Sequence, residues 1–97
     1  MIVRVFEAWL VAGAEEQFAT ALRDDIAAAR TQPGLVSIRW GRRMADGRTQ
    51  VIVVSEWRDL YAVREWLGPG YLSPRFAPGE DALVTEAHVR HYEGLEA

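Results

Sequence analysis

The run Val51-Ile52-Val53-Val54 sets the narrowest limit on how this chain folds. Successive side chains of a strand point to opposite faces, so four consecutive apolar β-formers put hydrophobic surface on both sides of a sheet. The strand continues through Ser55 and Glu56 to Trp57. Asp59 follows where it would cap a helix from Leu60 to Leu67, which carries a second tryptophan, Trp66. Each face of such a strand needs a cover. A chain of 97 residues suits one domain, residues 1–97, with helices over one face and nothing left over for the other.

The remaining segments supply the rest of the sheet. Ile2 to Val11 reads as a strand apolar on both faces, interrupted at Arg4 and Glu7. Gly13 breaks it. Glu15 and Glu16 then give an acidic first turn, and Phe18, Leu22 and Ile26 mark an amphipathic helix ended by Pro33-Gly34. Leu35 to Arg42 is a strand, Asp46-Gly47 signals a hairpin, and Gln50 to Trp57 returns. Gly68-Pro69-Gly70 stops the second helix, and a loop with Pro74, Pro78 and Gly79 leads to a last strand, Leu83 to Tyr92. This order predicts an α+β, ferredoxin-like fold: a four-stranded antiparallel sheet with two helices on one face. The other face is expected to meet a second copy, closing a homodimeric α/β barrel.

Composition removes several function classes. A net charge of −3 argues against a nucleic-acid surface, which needs clustered positive charge. The absence of cysteine excludes disulfides and thiolate metal sites. No run of about 18 apolar residues appears and the first residues enter a strand pattern at once, so neither a membrane span nor a secretory signal is expected. The expected location is cytoplasmic. His88 and His91 lie three apart on a strand, point to opposite faces and cannot share a metal. No metal site and no cofactor are expected.

Pro33-Gly34 before a strand, the Val51–Trp57 strand, the Asp59 cap and Trp66 on the second helix together resemble the antibiotic biosynthesis monooxygenase family of dimeric α/β barrels. The resemblance covers nearly the whole chain. It implies a cleft in each subunit between helices and sheet, and an activity such as cofactor-independent oxygenation of flat quinol- or polyketide-type aromatics. A haem-degrading branch of the family matches at Trp66 only. Its strand asparagine is replaced by Glu7, and Phe76 holds the place of its haem-ligating histidine. The chain contains no asparagine to take over that role. Haem degradation is therefore disfavoured.

Two catalytic residues are expected under this resemblance, Glu7 and Trp66. Glu7 would be a base if buried in an apolar cleft, where desolvation favours the protonated acid; the plainer alternative is a strand carboxylate paired with an arginine. Trp66 would contact the ligand or else belong to the core. Substrate contacts are expected from Trp9, and from Tyr71, Arg75 and Phe76 in the Gly/Pro-rich loop, which would lie over the cleft or be an ordinary exposed loop. Glu56 reads as a member of a cross-strand ion pair. The alternative to an enzyme is a non-catalytic ligand-binding or regulatory protein on the same fold.

Overall fold

A computed structural model describes all residues from 1 to 97. The elements are β1 (Ile2–Leu10), α1 (Glu15–Ala29), β2 (Leu35–Ala45), β3 (Arg48–Trp57), α2 (Leu60–Leu67), a 3₁₀ turn (Glu80–Leu83) and β4 (Val84–Glu93). The strands form one antiparallel sheet in the order β2-β3-β1-β4. This is the ferredoxin-like α+β architecture that the order of elements predicts.

Alternation along the strands decides what each face carries. In β3, Thr49, Val51, Val53, Ser55 and Trp57 are buried, whereas Ile52 and Val54 are 40% and 36% exposed. Cross-strand partners share a face. Phe6 pairs with Val53 and Ala8 with Val51, so Arg4, Phe6, Ala8 and Leu10 lie on the helix side of β1. Glu7 pairs with Ile52, which puts Val3, Val5, Glu7 and Trp9 on the open side.

The main core joins Ala8, Leu10, Val51 and Val53 of the sheet to Phe18, Leu22 and Ile26 of α1, the four-residue repeat read from sequence. A smaller cluster joins Trp57 to Ala62 and Val63 of α2, with Trp66 packed against it. Asp59 caps α2, its Oδ1 accepting from the Ala62 N–H at 2.9 Å. The approach of α2 is close enough to require a glycine: a Cβ on Gly34 would stand 2.3 Å from Ala62 Cβ.

Two features differ from the sequence reading by more than a residue at an element's end. The hairpin is longer than expected, because Asp46 and Gly47 adopt φ of 54° and 71°. A two-residue turn of that hand matches the strand twist and keeps pairing intact to Ala45 and Arg48. The 3₁₀ turn falls in what reads as loop, since four residues offer no helical periodicity. Glu56 also departs from expectation: it accepts from the Ser37 hydroxyl at 3.3 Å, and no cation lies within ion-pair distance. No helix is long and apolar enough to cross a membrane.

Candidate functional site

Between the helix side of the sheet, the two helices and the loop after α2 lies a cavity of about 280 Å³. Eleven of its sixteen lining residues are hydrophobic, the composition expected of a site that recognises an apolar molecule through a few polar groups. Phe6 and Val53 form the sheet wall, Phe18, Leu22 and Ile26 the α1 wall, and Trp66 and Leu67 the α2 wall. Phe76 closes it from the loop, meeting Phe6 edge to face with ring centroids 6.0 Å apart. Trp66 stacks on the fully buried Trp57. Trp57 in turn donates its indole N–H to the Ser55 hydroxyl at 3.0 Å, a buried group that lines the same cavity.

Four charged residues interrupt these apolar walls: Arg4, Arg75, Asp25 and Glu80. Arg4 is 7% exposed and has no carboxylate within 4 Å. Its Nη1 donates to the Tyr71 carbonyl at 2.7 Å and stands 2.8 Å from His91 Nε2. Burial first, then repulsion from Arg75, lowers its pKa to about 10. It stays cationic near neutrality, so the imidazole facing it is the acceptor. Burial and the Arg4 charge hold the His91 pKa below its ordinary value. Arg4 thereby ties the loop at Tyr71 to β1 and β4, while Arg75 Nη1 donates to the Leu67 carbonyl at the end of α2.

Glu80 is the most constrained acid. It is 6% exposed, and its Oε2 is sealed from solvent with no N–H or hydroxyl donor beside it. Burial, then hydrogen bonding to and repulsion from the Asp25 carboxyl, push its pKa up to about 7, against a lowering contribution from the Ala77 backbone.

The structure brings four of the six sequence-derived candidates to this region and places two elsewhere. Trp66, Arg75 and Phe76 line the cavity, and Tyr71 lies just outside the lining in the same loop, its ring edge to face with His91 at 5.6 Å. Glu7 and Trp9 do not reach it. They point the other way because β1 alternates and its even-numbered residues face the helices. The expectation of a base at Glu7 inside the cleft is corrected accordingly. Glu7 lies 3.6 Å from Arg90 and accepts from Gln50 at 3.4 Å on the open sheet face. Trp9 is covered there by Arg48, 4.4 Å from the ring centroid, and by Arg43 at 5.9 Å. His88 and His91 lie on opposite faces, opposite Glu7 and Arg4 respectively.

Sequence reading missed Arg4, Asp25 and Glu80. Arg4 had a usable signal, a lone arginine within an apolar strand. Asp25 and Glu80 had none, since both sit among other acidic residues on surface-like segments.

With this geometry the family can be assigned. A profile described as "Antibiotic biosynthesis monooxygenase" matches residues 1–72. The chain belongs to the antibiotic biosynthesis monooxygenase family. Among solved structures, PA3566 from Pseudomonas aeruginosa is similar at 19% identity, over 98% of this chain and 94% of that one, with a TM-score of 0.78. SnoaB, a cofactor-independent oxygenase from Streptomyces nogalater, is similar at 24% identity over 99% and 95% of the two chains, with a TM-score of 0.71. A MhuD variant with two manganese protoporphyrin IX bound per active site is similar at 19% identity over 100% and 97%, with a TM-score of 0.72. At these identities the likeness is one of fold. No curated protein matches the sequence.

The cavity of this family member is a poor fit for haem. None of its lining residues is a histidine, cysteine, methionine or tyrosine, so it offers no axial ligand of the usual kinds. Phe76 occupies the loop wall instead.

Proposed function

We propose that this protein is a small monooxygenase-like member of its family that binds a flat aromatic molecule, of quinol or polyketide type, between helices and sheet. The observation that supports this most is the cavity itself, about 280 Å³ bounded by Phe6, Phe18, Trp66 and Phe76 with a few charged groups among them. Aromatic walls favour stacked and edge-on contact with a planar ligand. In this reading Trp66 and Phe76 contact the ligand and Arg75 bounds it on the loop side, while Tyr71, outside the lining, anchors the loop through its carbonyl to Arg4. Deprotonation of a phenol or quinol leaves an electron-rich anion able to reduce oxygen without a bound cofactor; SnoaB is named as a cofactor-independent oxygenase. The reaction therefore needs a proton acceptor within the cleft.

The same reading makes the protein a cytoplasmic homodimer of sheet-to-sheet type. The open face carries Val3, Val5, Trp9, Ile52, Val54 and Tyr92, with Ile52, Val54 and Tyr92 each at least 36% exposed. Glu7 and Trp9 belong to that interface. A second copy would cover the apolar surface and supply partners for its polar centre.

An anthrone offered to the protein in air without added cofactor tests the reading. Oxygen uptake above the spontaneous rate, lost in Trp66→Ala, supports the enzyme. Binding without acceleration would leave the non-catalytic ligand-binding protein, which the packing of Trp66 on Trp57 favours.

A further inference from the structure

Arg4 is more than nine-tenths buried and lines the cleft, yet no carboxylate lies within 4 Å of it. A buried charge without a counter-ion is costly, and such groups are normally paired. The bonds that Arg4 makes within the protein all go through one nitrogen. Nη1 donates to the Tyr71 carbonyl and faces His91 Nε2, while Nε and Nη2, which share the other edge of the guanidinium, have no acceptor. No nitrogen of Arg4 is both sealed from solvent and unpaired, so Nε and Nη2 reach open space, and the space beside Arg4 is the cleft. Two N–H groups side by side on one edge match the two oxygens of a carboxylate.

The surroundings supply further donors. Arg75 lines the same cavity, close enough for its charge to repel that of Arg4, and it too has no carboxylate within ion-pair distance. It is seated against the Gly68–Gly70 turn, where a Cβ on Gly70 would stand 3.4 Å from its Nη1. Ser55, directly opposite Arg4 in the sheet, also lines the cavity; its oxygen accepts from Trp57, which leaves its own proton without an acceptor. The cleft's acids, Asp25 of α1 and Glu80 of the 3₁₀ turn, are beyond ion-pair distance of both arginines and are hydrogen-bonded to each other. That bond requires a proton on one of them, so together they offset only one of the two positive charges. What the site lacks is an anion supplied from the cavity side.

We propose that the free edge of Arg4, with Arg75 beside it, is a carboxylate-binding subsite of the cleft, and that the ligand is an aromatic carboxylate. The inference rests on the aromatic-cleft reading above and narrows its substrate class from flat aromatics to flat aromatic acids. The apolar walls hold the ring system, and the carboxylate fixes which end of it meets β1. The subsite binds and orients without moving a proton, because Arg4 stays cationic near neutrality. A phenolate fits less well, since it offers one oxygen to a two-donor edge, and an ammonium group would be repelled by both arginines.

Calorimetric binding of β-naphthoate, its neutral amide and β-naphthylmethylamine to the full chain tests this. The net charge of −3 opposes any anion, so a preference for the acid has to come from the site. The naphthoate should bind at least about tenfold tighter than the amide, the gain of a charge-assisted bidentate pair, and the amine should bind most weakly. Arg4→Gln should abolish the preference for the acid. Equal affinity for naphthoate and amide, a preference that survives Arg4→Gln, or tighter binding of the amine would each overturn the subsite while leaving the aromatic cleft in place. Failure of all three ligands to bind would overturn the aromatic-cleft reading itself. Should Arg4→Gln not fold, the Arg4 Nε–H resonance of the unaltered protein replaces it. That resonance should shift on saturation with naphthoate and not with the amide, and an unmoved resonance at saturation would overturn the assignment.

Discussion

The indole rings of Trp57 and Trp66 stack with centroids 5.2 Å apart and planes 25° from parallel. One ring is completely buried at the end of β3, and the other forms part of the cleft wall on α2. The contact fixes a cleft-lining side chain to the core across a short β3–α2 connection capped by Asp59. Replacing Trp66 by alanine should lower stability by about 2–3 kcal/mol, through lost packing and a widened cavity. Trp66→Phe should retain most of it. Urea unfolding of both variants measures the difference.

Gly34 should be intolerant of a side chain. A methyl group there meets the Cβ of Ala62 at 2.3 Å, and that atom is attached to helix backbone with no rotamer to relieve it. Gly34→Ala is expected to cost about 1–3 kcal/mol, as other overpacked sites do. Adding Ala62→Gly should recover part of the loss despite the helix penalty of glycine. A double-mutant cycle by thermal or urea unfolding reads the coupling.

Glu80 makes stability depend on pH in a definite direction. Its folded pKa is raised from 4.5 to about 7, so the native state holds the proton more tightly than the unfolded chain. That contribution is complete below about pH 4.5 and is lost as pH rises through 7. Urea midpoints between about pH 5 and pH 8 should therefore fall further in the unaltered protein than in Glu80→Gln. His91, whose pKa is lowered first by burial and then by Arg4, acts with the opposite sign, losing stability as pH falls below its ordinary 6.5. Comparison with the variant isolates the Glu80 component.

The open sheet face should respond to charge. Ile52→Asp places a carboxylate beside Glu7, its cross-strand partner, in the middle of the proposed interface. Light scattering should report two chains for the unaltered protein and one for the variant, with an unchanged far-ultraviolet circular dichroism spectrum. A monomeric parent at micromolar concentration would remove the dimer from the account.

The fold was legible because it depends on periodicity and turn chemistry, both local. Phe18, Leu22 and Ile26 announced the buried stripe of α1, and Asp59 its counterpart's cap. The site was legible in part. Trp66 and Phe76 stand out by their place in a family pattern, and both lie on the cavity wall. The side taken by Glu7 is not legible, because a strand apolar on both faces gives no sign of which face meets the helices. Only pairing with Ile52 rather than Val53 decides it. Glu80 was invisible for a different reason: its burial comes from the contact of a short turn with α1, which no local pattern encodes.

Nuclear magnetic resonance of the four tryptophan indole N–H groups during titration with α-naphthol tests the aromatic cleft most directly. Trp66 lines the cavity, Trp57 stacks behind it, and Trp9 lies on the opposite face of the sheet. The account predicts a large saturable shift at Trp66, a smaller one at Trp57 and none at Trp9. A shift at Trp9 with Trp66 unmoved, or no saturable shift at all, would contradict it.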